Sequence, residues 1–371
     1  MIYLDNAATT NKKPLSTYIG ILKALTYYNS NPSRGSHKLS IRTGIKVEEC
    51  RDNIKKLVNA PDNAEVVYTY NCTEAINYAI QGSLQPHDHV IITTFEHNAV
   101  LRTLANKNID YSVAVPTDKI ITINDIKKLR KPNTKMIIVN HTSNVTGTTT
   151  PLNEIGKYCK SNNILFLVDG AQSLGHIKVD MKKDNINFIS VAGHKGLYGT
   201  QGIGALVINN AQPQPIKYGG SGTESEKTNM PEYYPERLEA GTINTVGILA
   251  LDGGIRYVNK HFTFINTKIT KLSNMLLNYL NKNKKYIVYS NNPNSGVISF
   301  NIKNMDTNDV INYLNDHNIC VRGGLHCAPL AHKYLGTINS GTVRVSISHY
   351  NSIHDIKRLI KVLEKLTSNN Q

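Results

Sequence analysis

Long apolar runs, tryptophan and paired cysteines are missing from this 371-residue chain. No stretch approaches the roughly 20 apolar residues that a bilayer-spanning helix needs, and no apolar segment with a basic flank stands near the N-terminus. Neither a membrane protein nor a secreted one is expected; the expected location is cytoplasmic. Cysteine is scarce: the five, at positions 50, 72, 159, 320 and 327, are odd in number, scattered and without a Cys-x-x-Cys pair. A disulfide framework is therefore unsupported and at least one thiol is free. Acidic residues are few, 27 against 42 Lys and Arg, which gives a formal net charge of +15. Such a balance would suit nucleic acid if the basic residues clustered, but they are spread among Asn and Ile. The aromatic content, mostly tyrosine, is distributed along the chain without an RNA- or DNA-binding signature. A solvated, lysine-rich surface is expected, with neither nucleic acid nor a membrane as partner.

Glycine, by contrast, is concentrated around a single amine. The stretch Ser190–Gly204, SVAGHKGLYGTQGIG, holds His194 and Lys195 among five glycines. Glycine costs backbone entropy on folding, so this density marks tight turns or a backbone that a ligand approaches closely. A phosphate loop needs its lysine after the last glycine and a hydroxyl after the lysine, whereas Lys195 comes early and precedes Gly196. A dinucleotide fingerprint leads into a helix, but Gly199–Gly204 runs into Ala205–Ile208, an apolar strand pattern. The remaining reading is a strand ending near Val191, a turn presenting His194 and Lys195, and a second strand from Ile203 to Ile208.

From about Val47 helical and strand patterns alternate. A helix to Val58, a strand Glu65–Thr69 and a helix Thr73–Leu84 precede strands at Val90–Thr94, Tyr111–Val115, Met136–Asn140 and Ile164–Val168. Continuous apolar strands separated by helices are what a parallel sheet covered on both faces requires, and ligands bind such sheets at the carboxyl ends of the strands. After about Gly247 come a long helical stretch to Leu280, strands near Gly296–Phe300 and Thr342–Ser346, and a helix His354–Leu366. These predict a second, smaller α+β domain facing the sheet across a cleft.

The strand Ile164–Val168 ends in Asp169-Gly-Ala-Gln172, a carboxylate where the sheet meets a ligand. A lone Asp there is often only a helix cap. Paired with Lys195 it means more, because an amine that bonds an aldehyde and a carboxylate that keeps a ring nitrogen protonated are the two protein groups pyridoxal phosphate needs. Asn71–Ile76 begins a helix after a strand with a hydroxyl at its start, an anchor for the phosphate. Phe95-Glu-His-Asn98 brings His97, otherwise a structural histidine, to the same edge, where a flat ring can stack on a flat cofactor and exchange protons. Cys327 lies outside any apolar run, in Arg322-Gly-Gly-Leu-His-Cys327, which suits a reactive thiolate. The set His317, Cys320, His326, Cys327 and His332 matches no common zinc spacing and ranks below catalysis; no metal is expected.

Taken in order, these segments resemble the class V aminotransferase family of pyridoxal-phosphate enzymes and, within it, the cysteine desulfurases. The resemblance runs nearly end to end: Tyr3–Thr10, Ser33–His37, Cys72–Glu74, Glu96–Asn98, His141–Gly147, Asp169–Gln172, Gly193–Lys195, Glu239–Thr245 and Arg322–Leu330. It implies an α/β, type I (aspartate aminotransferase-like) fold with a mostly parallel seven-stranded sheet in a large domain, residues 15–246. Residues 1–14 and 247–371 would form the small α+β domain that carries the cysteine loop. It further implies a homodimer in which Thr242 reaches the partner's cofactor phosphate. Around pyridoxal 5'-phosphate it sets Cys72, Thr73, His97, Asn144, Asp169, Gln172, His194 and Lys195; around the substrate it sets Arg344, Asn144, His37 and Arg322. The implied reaction converts L-cysteine to L-alanine. Lys195 moves the Cα proton, His97 shuttles the thiol proton, and Cys327 takes the sulfur as a persulfide, in the short-loop arrangement of the SUF-like second group. A sulfur-acceptor protein and a place in iron–sulfur cluster biogenesis come with that resemblance.

A selenocysteine lyase acting on L-selenocysteine would use nearly the same site. An aminotransferase would not need Cys327, and a non-enzymatic basic binding protein would not need the complete set. Two positions depart from the family pattern. Ala192 stands where a hydroxyl residue commonly contacts the phosphate, and Cys72 replaces a frequent threonine, so the phosphate is expected to lean on Thr73, the helix N-terminus and Thr242.

Overall fold

The computed structural model describes residues 1–32 and 35–368. The chain opens with a short strand β1 (Ile2–Tyr3) and two helices, α1 (Leu15–Thr26) and α2 (Lys38–Leu57). The alternation then runs β2 (Glu65–Thr69), α3 (Cys72–Ser83), β3 (His89–Thr93), α4 (Asn98–Asn106), β4 (Asp110–Ala114), α5 (Ile123–Lys127), β5 (Thr134–Asn140), α6 (Asn153–Ser161), β6 (Leu165–Asp169), β7 (Phe188–Ala192) and β8 (Gly204–Ile208). The last third holds α7 (Thr245–Lys282), β9 (Tyr286–Val288), β10 (Val297–Ile302), α8 (Thr307–Asp316), β11 (Ile319–Cys320), β12 (Arg322–Gly324), α9 (Pro329–Leu335), β13 (Thr342–Ser346) and α10 (Ile353–Ser368).

Strands β2 to β8 form one seven-stranded sheet in the order β2-β8-β7-β6-β5-β3-β4. Every neighbouring pair is parallel except those made by β8, which runs against both β2 and β7. Successive side chains of a strand point to opposite faces, and here both faces are apolar. Ile91, Ile137, Val139 and Phe166 join one core, while Val90, Ile92, Met136 and Leu167 join the other. That two-sided burial explains why these strands read as unbroken apolar runs in the sequence.

A second, antiparallel sheet in the order β12-β13-β10-β9 packs with α8, α10 and the end of α7 around a separate core that includes Leu276, Ile298, Phe300, Val345 and Leu359. The N-terminal strand β1 pairs in parallel with β11, so the first residues belong with this smaller unit. The two cores are joined by α7, whose 38 residues span about 57 Å at 1.5 Å per residue. The helix carries one non-helical residue, His261. The expected change of pattern at 247 coincides with the start of α7, but core membership changes further along it: Ile248 to Ile269 lie in the large-sheet core and Leu272 to Leu280 in the small one.

Close packing of α7 fixes the parts around it. A Cβ at Gly253 would stand 2.2 Å from the Ser16 carbonyl of α1, and one at Gly254 would stand 1.9 Å from the Leu197 carbonyl, in the loop that follows Lys195. Overpacking of this kind costs roughly 1–3 kcal/mol. Gly254→Ala should therefore lower the thermal unfolding midpoint and displace the Lys195 loop. Calorimetry should find the loss in the cofactor-free protein, and titration should find weaker cofactor uptake.

Candidate active site

The carboxyl ends of the parallel strands and the return of β8 gather chemistry at one edge of the large sheet. Glu96 and His97 follow β3, Asn144 follows β5, Asp169 ends β6, and His194 and Lys195 follow β7. From the smaller unit, Arg322 of β12, Arg344 of β13 and the loop residues His326 and Cys327 face them. Apart from Glu96, these residues line a cleft of about 810 Å³ together with Cys72, Thr73 and Gln172. All the expected site residues meet there except Thr242 and His37. Thr242 lines a separate cavity with Tyr70, Glu74 and Lys217. His37 is exposed and caps α2, its Nδ1 accepting the Ser40 N–H at 3.3 Å, and it does not line the cleft. Ser33 and Arg34 of the same motif lie outside the described residues.

The glycines around Lys195 mark a close approach between two backbones. A Cβ at Gly196 would sit 2.3 Å from the Leu174 carbonyl, and one at Gly175, whose φ is +94°, would sit 2.1 Å from the Gly196 carbonyl. The turn is also held from the N-terminal segment: the His194 carbonyl accepts from Thr10 N at 3.2 Å, Thr10 Oγ1 at 3.1 Å and Lys13 Nζ at 3.0 Å. Loss of hydration pushes the Lys195 amine below its usual range, opposed by Cys72 and Asp169. A larger neutral fraction makes it a nucleophile and a base.

Asp169 is oriented on one side only. Its Oδ1 accepts from Ala171 N at 2.9 Å and Ser190 Oγ at 3.3 Å, and Cys72 Sγ lies 3.3 Å away. The side chain of Cys72, expected on the phosphate side, instead points to Asp169 and Ser190, with Ser190 Oγ at 3.1 Å. Burial, with the Asp169 charge, raises its thiol well above the ordinary range and keeps it a donor. Gln172, expected at the cofactor, donates from Nε2 to the Ala7 carbonyl at 2.9 Å. At the start of α3, Asn71 caps the helix by accepting from Glu74 N. Thr73 stands in the first turn, where the N–H groups favour an anion.

His97 Nδ1 accepts the Ala99 N–H at 3.0 Å, so the neutral ring carries its proton on Nε2. Burial lowers its pKa. His326 Nε2 donates to the Thr342 carbonyl at 3.2 Å, leaving Nδ1 a bare, buried acceptor without a partner. Burial and Arg344 push this ring down to about 2. His326 and Cys327 both take left-handed backbone, φ +48° and +59°, and their carbonyls are pinned by Asn144 Nδ2 at 2.6 Å and Asn98 N at 2.7 Å. Cys327 itself is exposed, and all five cysteines are free thiols. Arg344 is 1% exposed; it donates to the Asn144 carbonyl at 3.1 Å and to Asp5 at 2.9 Å, while its Nε has no partner. The other members of the histidine and cysteine set go elsewhere: His332 meets Thr337, and Cys320 pairs with Tyr3 in the β1–β11 ladder.

The donor set fits pyridoxal phosphate. It offers an amine for the aldehyde, a carboxylate for the ring nitrogen and a helix N-terminus for the phosphate. The buried Asn144 Oδ1 and Arg344 Nε, which line the same cleft, lack protein partners. Sequence reasoning assigned no role to Asp5, Lys13, Ser190 or Glu96. Asp5 and Glu96 stand inside motifs already singled out, so their signal was present but undivided from that of their neighbours.

The family of class-V aminotransferases matches residues 2–359. A protein named "Probable cysteine desulfurase" from Methanothermobacter thermautotrophicus is 33% identical, covering 98% of this chain and 94% of its own. A cysteine desulfurase from Wigglesworthia glossinidia brevipalpis is 31% identical over 99% of this chain and 92% of its own. Among solved structures, the apo cysteine desulfurase of Thermococcus onnurineus NA1 superposes with a TM-score of 0.90 at 32% identity, over 99% of this chain and 95% of that one.

Glu96 yields a pH-dependent prediction. Its Oε1 accepts from Thr93 Oγ1 and Asn140 N, both at 2.7 Å, while Oε2 is buried without a partner. Desolvation outweighs those hydrogen bonds and the carboxyl is pushed up to about 8. Between the ordinary value of about 4.5 and 8 the folded protein keeps a proton that the unfolded chain has lost, so stability falls as pH rises through that window, by at most about 1.4 kcal/mol per unit. Glu96→Gln removes this dependence. Urea denaturation of the cofactor-free proteins should find the variant gaining on wild type from pH 5 to pH 8; a constant difference would mean that Glu96 is ionised when folded.

Proposed function

The chain belongs to the class-V aminotransferase family as one of its pyridoxal-phosphate-dependent cysteine desulfurases, and from that premise we propose how its own residues divide the work. The observation that carries the reading is the convergence of Lys195, Asp169 and an exposed Cys327 on one cleft. When bound, pyridoxal phosphate supplies the electron-accepting ring that loosens the substrate's Cα–H bond. Lys195 would hold it through its amine and, when free, would accept the Cα proton. Asp169, whose Oδ1 is held by Ala171, Ser190 and Cys72, would keep the ring nitrogen protonated. Thr73 and the α3 N-terminus would hold the phosphate, and Asn144 and His194 would complete the cofactor's lining.

Arg344, desolvated and already oriented by Asp5, binds the substrate carboxylate with its unused donors, with Arg322 assisting from the cleft mouth. His97 enters as a proton donor through Nε2 and becomes an acceptor only after giving that proton up. The Cys327 thiolate bonds to the substrate sulfur as the Cβ–S bond breaks. The electron pair stays on the substrate carbon, which takes up a proton to become the methyl group of L-alanine, and Cys327 retains a persulfide.

A homodimer is supported by α1, where Leu15, Tyr18, Ile19, Leu22 and Leu25 repeat at helical spacing and are all exposed, beside exposed Leu39, Ile41 and Ile45 of α2. A stripe of this kind marks a protein–protein face. Thr242, outside its own cleft, is then available to the partner's phosphate. We read residues 15–246 as the cofactor-holding domain and 1–14 with 247–371 as the one carrying the cysteine loop, with α7 shared. A cytoplasmic setting is supported by the free thiols. Among the described residues no helix is long and apolar enough to cross a membrane.

Cys327→Ala should keep the cofactor and still change its visible spectrum on adding L-cysteine, while alanine and sulfide release collapse. Mass spectrometry of wild type after L-cysteine without reductant should find the added sulfur on Cys327. Full turnover by Cys327→Ala would leave an aminotransferase or lyase as the better reading. For the dimer, Leu22→Glu should shift light scattering to the monomer mass and weaken cofactor retention; an unchanged dimer would remove the α1 stripe from the interface.

A further inference from the structure

Cys327 borders two cavities. One is the cleft with Lys195. The other is a groove of about 920 Å³ between α3 and α4, adjoining the cleft and sharing Thr73, His97 and Ala99 with it. The groove walls are two stripes of polar side chains at four-residue spacing, Thr73, Asn77 and Gln81 on α3 and Asn98, Arg102 and Asn106 on α4. Residues four apart share one helix face, so each stripe looks into the groove along its length. Arg102 stands midway along the α4 stripe and Lys107 at its far end, both exposed. The groove's lining includes no carboxylate, and neither cation has an ion pair among the described residues.

Cys327 is also fixed to this groove mechanically. Its carbonyl accepts the N–H of Asn98, the first residue of α4, so the thiol's backbone and one groove wall form a single hydrogen-bonded unit. From Thr73 to Gln81 the wall is about 12 Å long, which accommodates about four residues of extended chain.

We propose that this groove seats the acceptor that discharges Cys327, as an extended, cysteine-bearing protein segment whose carboxylates meet Arg102 and Lys107. The inference rests on the desulfurase reading, since only a persulfide at Cys327 needs discharging. In the step the acceptor thiolate attacks the outer sulfur of the persulfide. The new S–S bond forms as the bond to Cys327 Sγ breaks, Cys327 leaves as a thiolate, and the acceptor's thiol proton goes to solvent. No outside oxidant or reductant enters.

The test starts from full-length holoenzyme loaded with L-cysteine, freed of excess substrate and checked for persulfide on Cys327 by mass spectrometry. It is then mixed with one of three thiols: a short unstructured peptide with a single Cys followed by Glu residues, its Lys counterpart, or dithiothreitol. The readout is the ratio of acidic- to basic-peptide discharge rates in wild type against that in Arg102→Glu/Lys107→Glu, because each peptide's own thiol acidity cancels in the comparison. That ratio should fall about tenfold or more at low salt in the variant, and the effect should shrink as salt rises. Dithiothreitol should discharge both proteins equally, which shows an intact site. An unchanged ratio alongside normal dithiothreitol discharge would overturn the groove as the acceptor's seat. Failure of wild type to take any sulfur onto Cys327 would instead overturn the desulfurase reading, and the inference with it.

Discussion

Stripping water from a charged side chain costs several kcal/mol unless a partner replaces it, and the edge of the large sheet is arranged around that cost. Lys195 is driven toward its neutral form by it, as are the rings of His97, His194 and His326, while Glu96 is held protonated. Arg344 is held against this cost by a built-in counterpart, Asp5. The result is a cleft rich in neutral donors and acceptors. Asp169 comes to it from the large sheet, and Arg322 and Arg344 from the smaller unit.

Much of this was legible from local sequence because each chemical group sits directly at a strand end. An apolar run stopping at Asp169, or at the glycine-flanked Lys195, announces both the strand and its functional tip. The smaller unit was harder to read. Strands β11 and β12 are two and three residues long, and β12 is Arg-Gly-Gly, without apolar periodicity. Helix α1 presents apolar residues on an outward face, so its pattern does not follow its own chain's core. Side-chain direction was equally hidden. Nothing in Asn71–Glu74 says that Cys72 turns to Asp169 while Thr73 stays toward the cleft, because that depends on Ser190, 118 residues away.

The two units are tied close to the amine as well as along α7. His349, just beyond β13, meets the Tyr198 hydroxyl at 2.8 Å through Nδ1 and the Tyr257 hydroxyl at 3.0 Å through Nε2. Tyr198 lies three residues after Lys195 in left-handed backbone, and Tyr257 lies on α7. One buried ring thus clamps the lysine loop, the shared helix and the smaller unit together. The arginines on that unit and the lysine on the sheet hold their separation through this contact.

A thiol that lines two adjoining cavities also has a kinetic meaning. If sulfur arrives from one side and departs to the other, the donor amino acid and the acceptor never contend for the same space. Acceptor at high concentration then does not raise the apparent KM for L-cysteine, and newly formed alanine need not vacate the inner compartment before the outer sulfur is drawn away. Under that arrangement Cys327 would be a one-way transfer point rather than a residue visited twice from one side.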